Sequence, residues 1–384
     1  MQKIMKWPFY TKLACVLISL VIIGYLAIIG KTVVAPLVIG FLFSMLLIPF
    51  ANFFEGKLRF SRSLSSITTV VLATLAVVGI VFGIGKNLSS VGQDWPLFEK
   101  QIIDLFNRLQ YWLTTNFGIQ ESQQINYIKK SISSALSSST VILGGVLLSL
   151  SSIFLLWVFV FLYTFFFLLY RRHIRLFVTQ LFRQEHHSKV NEVIESIQYM
   201  VKKYLTGLLI QMFIVATLVF IAYSIIGVKH TLLLALITGI LNVLPYIGIL
   251  LALICSVIIT FATSTIMHVL FVIMSIIMIH AIDSNFILPK IVGSKVKINS
   301  MIAMLGLVIG EQMWGISGMF LSIPVMAIFK IVFDRVDELK PWGFLLGEDD
   351  QDLGFIKNIN KKPPVSDPAV VSTPDNDSSI SLED

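Results

Sequence analysis

Apolar runs of about twenty residues recur along the chain between short polar or basic connections, a pattern that predicts membrane-crossing helices. The first run covers 13–30 and the second 32–54, joined so closely through Gly30-Lys31 that the two should be an antiparallel pair. A short loop at 55–63, EGKLRFSRS, carries Lys57, Arg59 and Arg62, and a third run follows at 64–85. The fourth, 141–170, ends in WVFVFLYTFFFLLY and stops abruptly at Arg171-Arg172-His173-Ile174-Arg175. Cations beside apolar runs mark the cytoplasmic side, so both basic stops are placed there. A fifth run at 205–227 emerges on the opposite face, and a further crossing covers 266–288.

Two other apolar stretches have awkward lengths. Residues 231–261, interrupted by Asn242-Val243-Leu244-Pro245-Tyr246-Ile247-Gly248, would reach about 46 Å as one helix against a hydrocarbon core of about 30 Å. Two full crossings would need about 40 residues. Pro245 lacks an N–H and clashes with the turn before it, and Gly248 loosens the backbone further. Residues 300–333, interrupted at Gly310-Glu311-Gln312-Met313-Trp314-Gly315-Ile316-Ser317-Gly318, pose the same problem. Either both stretches are kinked crossings, giving eight in all, or both are re-entrant hairpins beside about six full crossings. Hairpins keep Lys290, Lys295 and Lys297 on the cytoplasmic side with both termini, which fits the charge rule better. Each stretch follows a Gly-x-Lys (Gly227, Lys229; Gly293, Lys295), and one crossing lies between them. That order predicts an inverted repeat in the C-terminal half, as in many secondary transporters, where broken helices surround the binding site.

The pattern changes twice outside the crossings. Residues 86–140 are mixed and polar, but Trp95, Phe98, Ile102, Ile103, Phe106, Leu109 and Leu113 recur at helical spacing, giving an extramembrane amphipathic helix. Such a helix either caps a neighbouring subunit or lies on the bilayer or on its own domain. Residues 176–204, with Val190, Val193, Ile194, Ile197 and Val201 along one side, predict an interfacial cytoplasmic helix. The organisation expected is therefore helices one to three in 1–85, the insert in 86–140, helix four and the cytoplasmic helix in 141–204, a transport core in 205–340, and a Pro-, Ser- and Asp-rich cytoplasmic tail in 341–384, mostly disordered.

Composition supports an integral membrane protein: the 384 residues are 56% hydrophobic and 13% charged, half the charged fraction of an ordinary soluble domain. The net charge of +7 follows from cations beside apolar runs and calls for no nucleic acid. Cys15 and Cys255 lie inside apolar runs, so no disulfide framework is implied. The N-terminal run is longer than a signal peptide's apolar region and has no A-x-A-like site after it, which predicts an uncleaved first helix.

No enzymatic constellation stands out. H-E-x-x-H, G-x-x-x-x-G-K-[ST], G-x-S-x-G and C-x-x-C are all absent from the sequence, so no enzyme and no cofactor are expected, and without a nucleotide-binding loop the chain cannot be a primary pump on its own. His186-His187 is a poor metal pair, because neighbours on a helix point about 100° apart. The remaining candidates are polar or backbone-breaking residues in apolar surroundings. Asp283 and His280 share a helical face, and an ionisable group at membrane depth points to a solute or ion pathway. Asn242, Pro245, Tyr246 and Gly248 mark the first break. Asn285 and Pro289 follow Asp283. Glu311, Gly315, Gly318 and Pro324 mark the second segment, where Glu311 either binds a cation or faces solvent in a turn, and the glycines and proline set packing and breaks.

Three of these motifs, in order and spacing, resemble the AI-2E transporter family: Leu244-Pro245-Tyr246-Ile247-Gly248; Asp283-Ser284-Asn285-Phe286-Ile287-Leu288-Pro289 with Gly293; and Gly315-Ile316-Ser317-Gly318 followed by Ile323-Pro324. The two close helices, basic loop, third helix and insert are similar as well, so the resemblance covers about residues 10–340. It implies a homo-oligomeric protein of the bacterial inner membrane, with relatives that include exporters of autoinducer-2 and sodium/proton antiporters. The family's stretch at the position of Glu311-Gln312-Met313-Trp314 is plainer, so no role for Glu311 carries over. The expectation is a secondary transporter or exporter of a small polar solute, autoinducer-2-like, or of an ion, working by alternating access. The alternatives are a sodium/proton antiporter and a non-transporting membrane scaffold.

Overall fold

The computed structural model describes residues 9–117, 139–244, 247–293 and 298–348, and every regular element among them is helical. Helix α1 (Phe9–Ile29) meets α2 (Lys31–Gly56) across Gly30, and α3 spans Arg62–Phe117. Helix α4 (Ser139–Leu169) is bent by 70° into α5 (Arg171–Gln180), and α6 covers His187–Ile226. Then come α7 (Thr231–Leu241), α8 (Ile247–Thr263) and α9 (Ile266–Ile282), with π-helical turns at Asp283–Ile287 and Pro289–Gly293. The last elements are α10 (Ser300–Trp314), α11 (Ile316–Arg335) and the short α12 (Lys340–Leu346). Among the described residues five helices are long and apolar enough to cross a membrane, or six with the bent pair taken as one span. This is an all-α polytopic bundle.

Two helices run on where the apolar pattern stops. The third run and the amphipathic stretch after it form one helix of 56 residues, about 84 Å long. The predicted cytoplasmic helix is broken at 181–186, and its part from His187 onward is one helix of 40 residues with the fifth crossing. A change from apolar to polar side chains alters what surrounds a helix but removes no backbone hydrogen bond, so it does not end one. Glycine does end α6: Gly227 takes φ +81°, and the Gly227 and Val228 N–H groups both donate to the Tyr223 carbonyl oxygen at 3.0 Å.

Both interrupted segments fold back on themselves. Gly248 stands against the carbonyl oxygen of Leu241, seven residues earlier, where a straight helix would hold them about 10 Å apart. In the second segment Gly310 meets Gly318 backbone to backbone and Gly306 meets Met326, so α10 and α11 are antiparallel arms. Gly315 turns between them at φ +61°, ψ −138°, a conformation that side chains with a Cβ avoid. Trp314, at this tip, donates its indole N–H to the Ala27 carbonyl at 2.9 Å and ties α10 to α1.

Two apolar cores stack along α6. Leu42, Val160, Val201, Leu205 and Leu321 join α2, α4, α6 and α11 in one, while Val219, Tyr223, Leu234, Val272 and Ile276 join α6, α7 and α9 in the other. Ion pairs collect at one end of the bundle: Arg171–Glu55 at 2.6 Å, Arg175–Glu195 at 2.7 Å, Arg335–Glu192 at 3.4 Å and Lys189–Asp337 at 3.5 Å. The two basic stops, at 55–63 and 171–175, therefore share one face.

Candidate functional site

At the seam between the two cores lies a polar cluster. Gln211 sits on α6 between Leu208 of one core and Val215 of the other, and its Nε2 donates to both carboxylate oxygens of Asp283, at 3.0 and 2.9 Å. The Nδ2 of Asn242, at the end of α7, donates to the same carboxylate at 3.1 Å. Asp283 is 3% exposed, and no lysine or arginine pairs with it among the described residues. A carboxylate in such a place needs donors to replace water, and the two amides supply three contacts.

The backbone around the cluster departs from regular helix for reasons visible in the sequence. Pro289 has no N–H and crowds the carbonyl four residues before it, so the ladder after Asp283 widens. The Leu288 N–H accordingly donates to the Asp283 carbonyl, five residues back. Such π turns are frequent at functional sites. Asn242 stands where α7 ends, its N–H still bonded to the Thr238 carbonyl at 3.0 Å while the chain turns away.

The cluster opens on a cavity of about 410 Å³ between α6, the first interrupted segment, the end of α9 and the α10–α11 hairpin. Tyr204, Gln211, Asn242, Asp283, Ser284 and Ser300 supply polar groups to its wall, and Leu208, Ile249, Leu307 and Ile323 supply apolar surface. His280 also reaches the cavity, with Nε2 3.4 Å from Ser284 Oγ and Nδ1 buried without a hydrogen-bond partner. Few convergent polar groups on an apolar wall are the ordinary make-up of a small-molecule site.

Of the residues singled out by sequence, Asn242 and Asp283 come together here. Pro245 and Tyr246 lie outside the described residues. Gly248 and Gly318 serve close backbone approach, Gly315 the hairpin turn, and Pro324 is buried in α11 beside the cavity-lining Ile323. Asn285 and Pro289 are exposed, and Asn285 spends its Nδ2 on the Ala281 carbonyl at 2.7 Å. Glu311 is exposed on α10, away from the cavity wall. Gln211 was not among the candidates. Its signal is present, a lone amide in the apolar run LLIQMFIVATLVF, but a search weighted toward charges and helix breaks passes over a neutral side chain within a continuous helix.

A helical bundle with folded-back segments around a buried carboxylate and a cavity is the build of a membrane permease. The family model for AI-2E family transporters matches residues 17–338, and the chain belongs to that family. In Bacillus subtilis (strain 168) it is similar to "Putative transport protein YrrI", 24% identical over 316 residues (79% of this chain and 86% of the relative), and to "Putative transport protein YueF", 24% identical over 320 residues (80% and 85%). A "Putative transport protein" of Borreliella burgdorferi is 29% identical over 175 residues, covering 44% of this chain and 47% of the relative.

Proposed function

We propose that this chain is a secondary transporter that carries a small polar solute by alternating access, with the Asp283–Gln211–Asn242 cluster as its binding site. The single observation behind this reading is a buried carboxylate held by amides from two other helices at the wall of a 410 Å³ cavity. Carboxylate, amides, Tyr204 and Ser300 offer a hydroxylated solute of autoinducer-2 size both acceptors and donors. Both folded-back segments line the cavity, so tilting either one changes which side it opens to. The bacterial inner membrane, cytoplasmic termini at the basic end and a homo-oligomeric assembly complete the reading.

One observation favours an ion as cargo or coupling partner. Gln211 is 4% exposed, yet its Oε1 has no hydrogen-bond partner among the described residues. An amide oxygen next to a carboxylate suits a monovalent cation, and a half-turn of the amide would offer the same oxygen to a proton on Asp283.

Purified protein in proteoliposomes decides the matter. Under an imposed proton or sodium gradient, wild type accumulates the solute or cation, and Asp283→Asn lowers the rate at least about tenfold, the loss of one charge-assisted contact. No flux under any gradient, or equal flux by Asp283→Asn, would sink the reading. If Ala at 242, 283 and 285 leaves the cellular phenotype intact while deletion of 86–140 abolishes it, the scaffold reading stands instead.

A further inference from the structure

We propose that the elbow between α4 and α5 is a binding site for an anionic phospholipid, which lays an acyl chain against the aromatic end of α4 and its phosphate against Arg172 and His173. The site lies apart from the transport cavity. Tyr163, Phe166 and Phe167 of α4 and Tyr170 just after it, spaced three and four apart, form one wall of a groove of about 390 Å³, closed at its end by His173 and Ile174 of α5. Every side chain of α4 in that wall is aromatic. Phe166 and Tyr170 stack at 6.2 Å, and Phe167 packs edge-on against Phe41 of α2 at 5.4 Å, so the wall is fixed.

The charge at the elbow selects the occupant. Arg171, Arg172, His173 and Arg175 stand within five residues, but they are not equivalent. Arg171 is taken up by Glu55 at 2.6 Å. Arg175 donates Nε to Asn191 at 3.0 Å and Nη2 to Glu195 at 2.7 Å. Arg172 and His173 are exposed and have no acidic partner among the described residues. They sit where the 70° bend turns the chain out of the apolar α4.

The elbow thus presents uncompensated positive charge at the end of an aromatic groove, at the depth where an interfacial headgroup lies. Leu176, Phe177 and Leu181 on α5 and the turn after it are also exposed, as in a helix lying in the plane of the interface. A neutral lipid would fill the groove but leave the charge unmatched. A free phosphate would match the charge but leave the groove empty.

The test uses the full chain, purified in neutral detergent, with native mass spectrometry counting bound lipid and thermal melting read in parallel. Phosphatidylglycerol should remain bound and raise the melting temperature, and phosphatidylcholine should do neither. Arg172→Gln should weaken phosphatidylglycerol binding about fivefold, the usual contribution of one basic residue near an anionic lipid surface. Arg172→Lys should restore most of it, and Tyr170→Ala should weaken binding without touching the charge. Equal retention of the two lipids would overturn the proposal, as would unchanged retention by Arg172→Gln with His173→Gln. Glycerol 3-phosphate that fully displaces the lipid would make this a free-phosphate site. Variants that change the oligomer mass but not the lipid count would show that a second copy of the chain fills the groove.

Discussion

The two interrupted segments share a plan and differ in what their breaks do. In the first, the break delivers chemistry: α7 ends at Asn242, which turns into the cavity and bonds Asp283. In the second, the break delivers packing: Gly310 against Gly318 and the Gly315 turn zip two arms of 15 and 20 residues together, and the acidic Glu311 nearby stays outside. The sequences look alike, each an apolar run with glycine and polar residues near its centre. An interruption in a membrane segment frees backbone groups in both cases, but whether it also makes a site depends on what stands opposite.

Substitutions at the cluster should have the largest effect. Asp283→Ala removes the one acceptor shared by Gln211 and Asn242 and leaves the buried Gln211 amide unpaired, at about 1–3 kcal/mol, with a smaller loss at the half-buried Asn242. The expected outcome is abolished transport and a clear drop in melting temperature in detergent. A protein of wild-type stability would mean that the cluster is not closed as described. Next comes Gly318→Leu, whose side chain has no room beside the Gly310 carbonyl. Prying the arms apart should destabilise by about 1–3 kcal/mol, seen as a lowered melting temperature. The contrast between the segments predicts that any folded Gly318→Ala protein keeps its affinity for solute, whereas Asn242→Ala loses affinity and melts close to wild type.

Gly315→Ala meets open space, so only its backbone conformation is penalised, by about 1–3 kcal/mol. Glu311→Gln should change stability by less than about 0.5 kcal/mol and leave transport rates unaltered. Loss of transport in that variant would erase the distinction between the two breaks. The smallest effect is expected past the end of α11, where Lys340, hydrogen-bonded at 2.7 Å, and then Lys189 hold the Asp337 carboxyl below its ordinary range. A carboxyl depressed on folding stabilises above its unfolded value of about 3.9, and that contribution fades as pH falls through the lower folded value. Because Asp337 is solvent-exposed, melting curves of Asp337→Asn and wild type should nearly coincide at neutral pH and differ even less in acid.

Much of this molecule could be read from the chain alone. Apolar run length set the helices, the basic stops set the shared face, and three spaced motifs pointed to the family, because burial in lipid constrains composition residue by residue. Helix ends were legible where the backbone chemistry changes, at Gly227 and Gly315, and at the basic stop after residue 170. They were not legible at 86 or 205, where only the surroundings change and the hydrogen-bond ladder continues.

The site was half legible. Asp283 declared itself by the expense of a charge among apolar residues, and Asn242 by its place at a break. Gln211, which holds the carboxylate, lies 72 residues from Asp283 in sequence and is marked by neither. The tertiary structure alone made that choice, since a buried carboxylate takes its donors from whichever helices pack against it. It likewise set Asn285 and Glu311 outside, because the side a helix turns to its neighbours follows from the summed packing of the bundle and from no single residue's polarity.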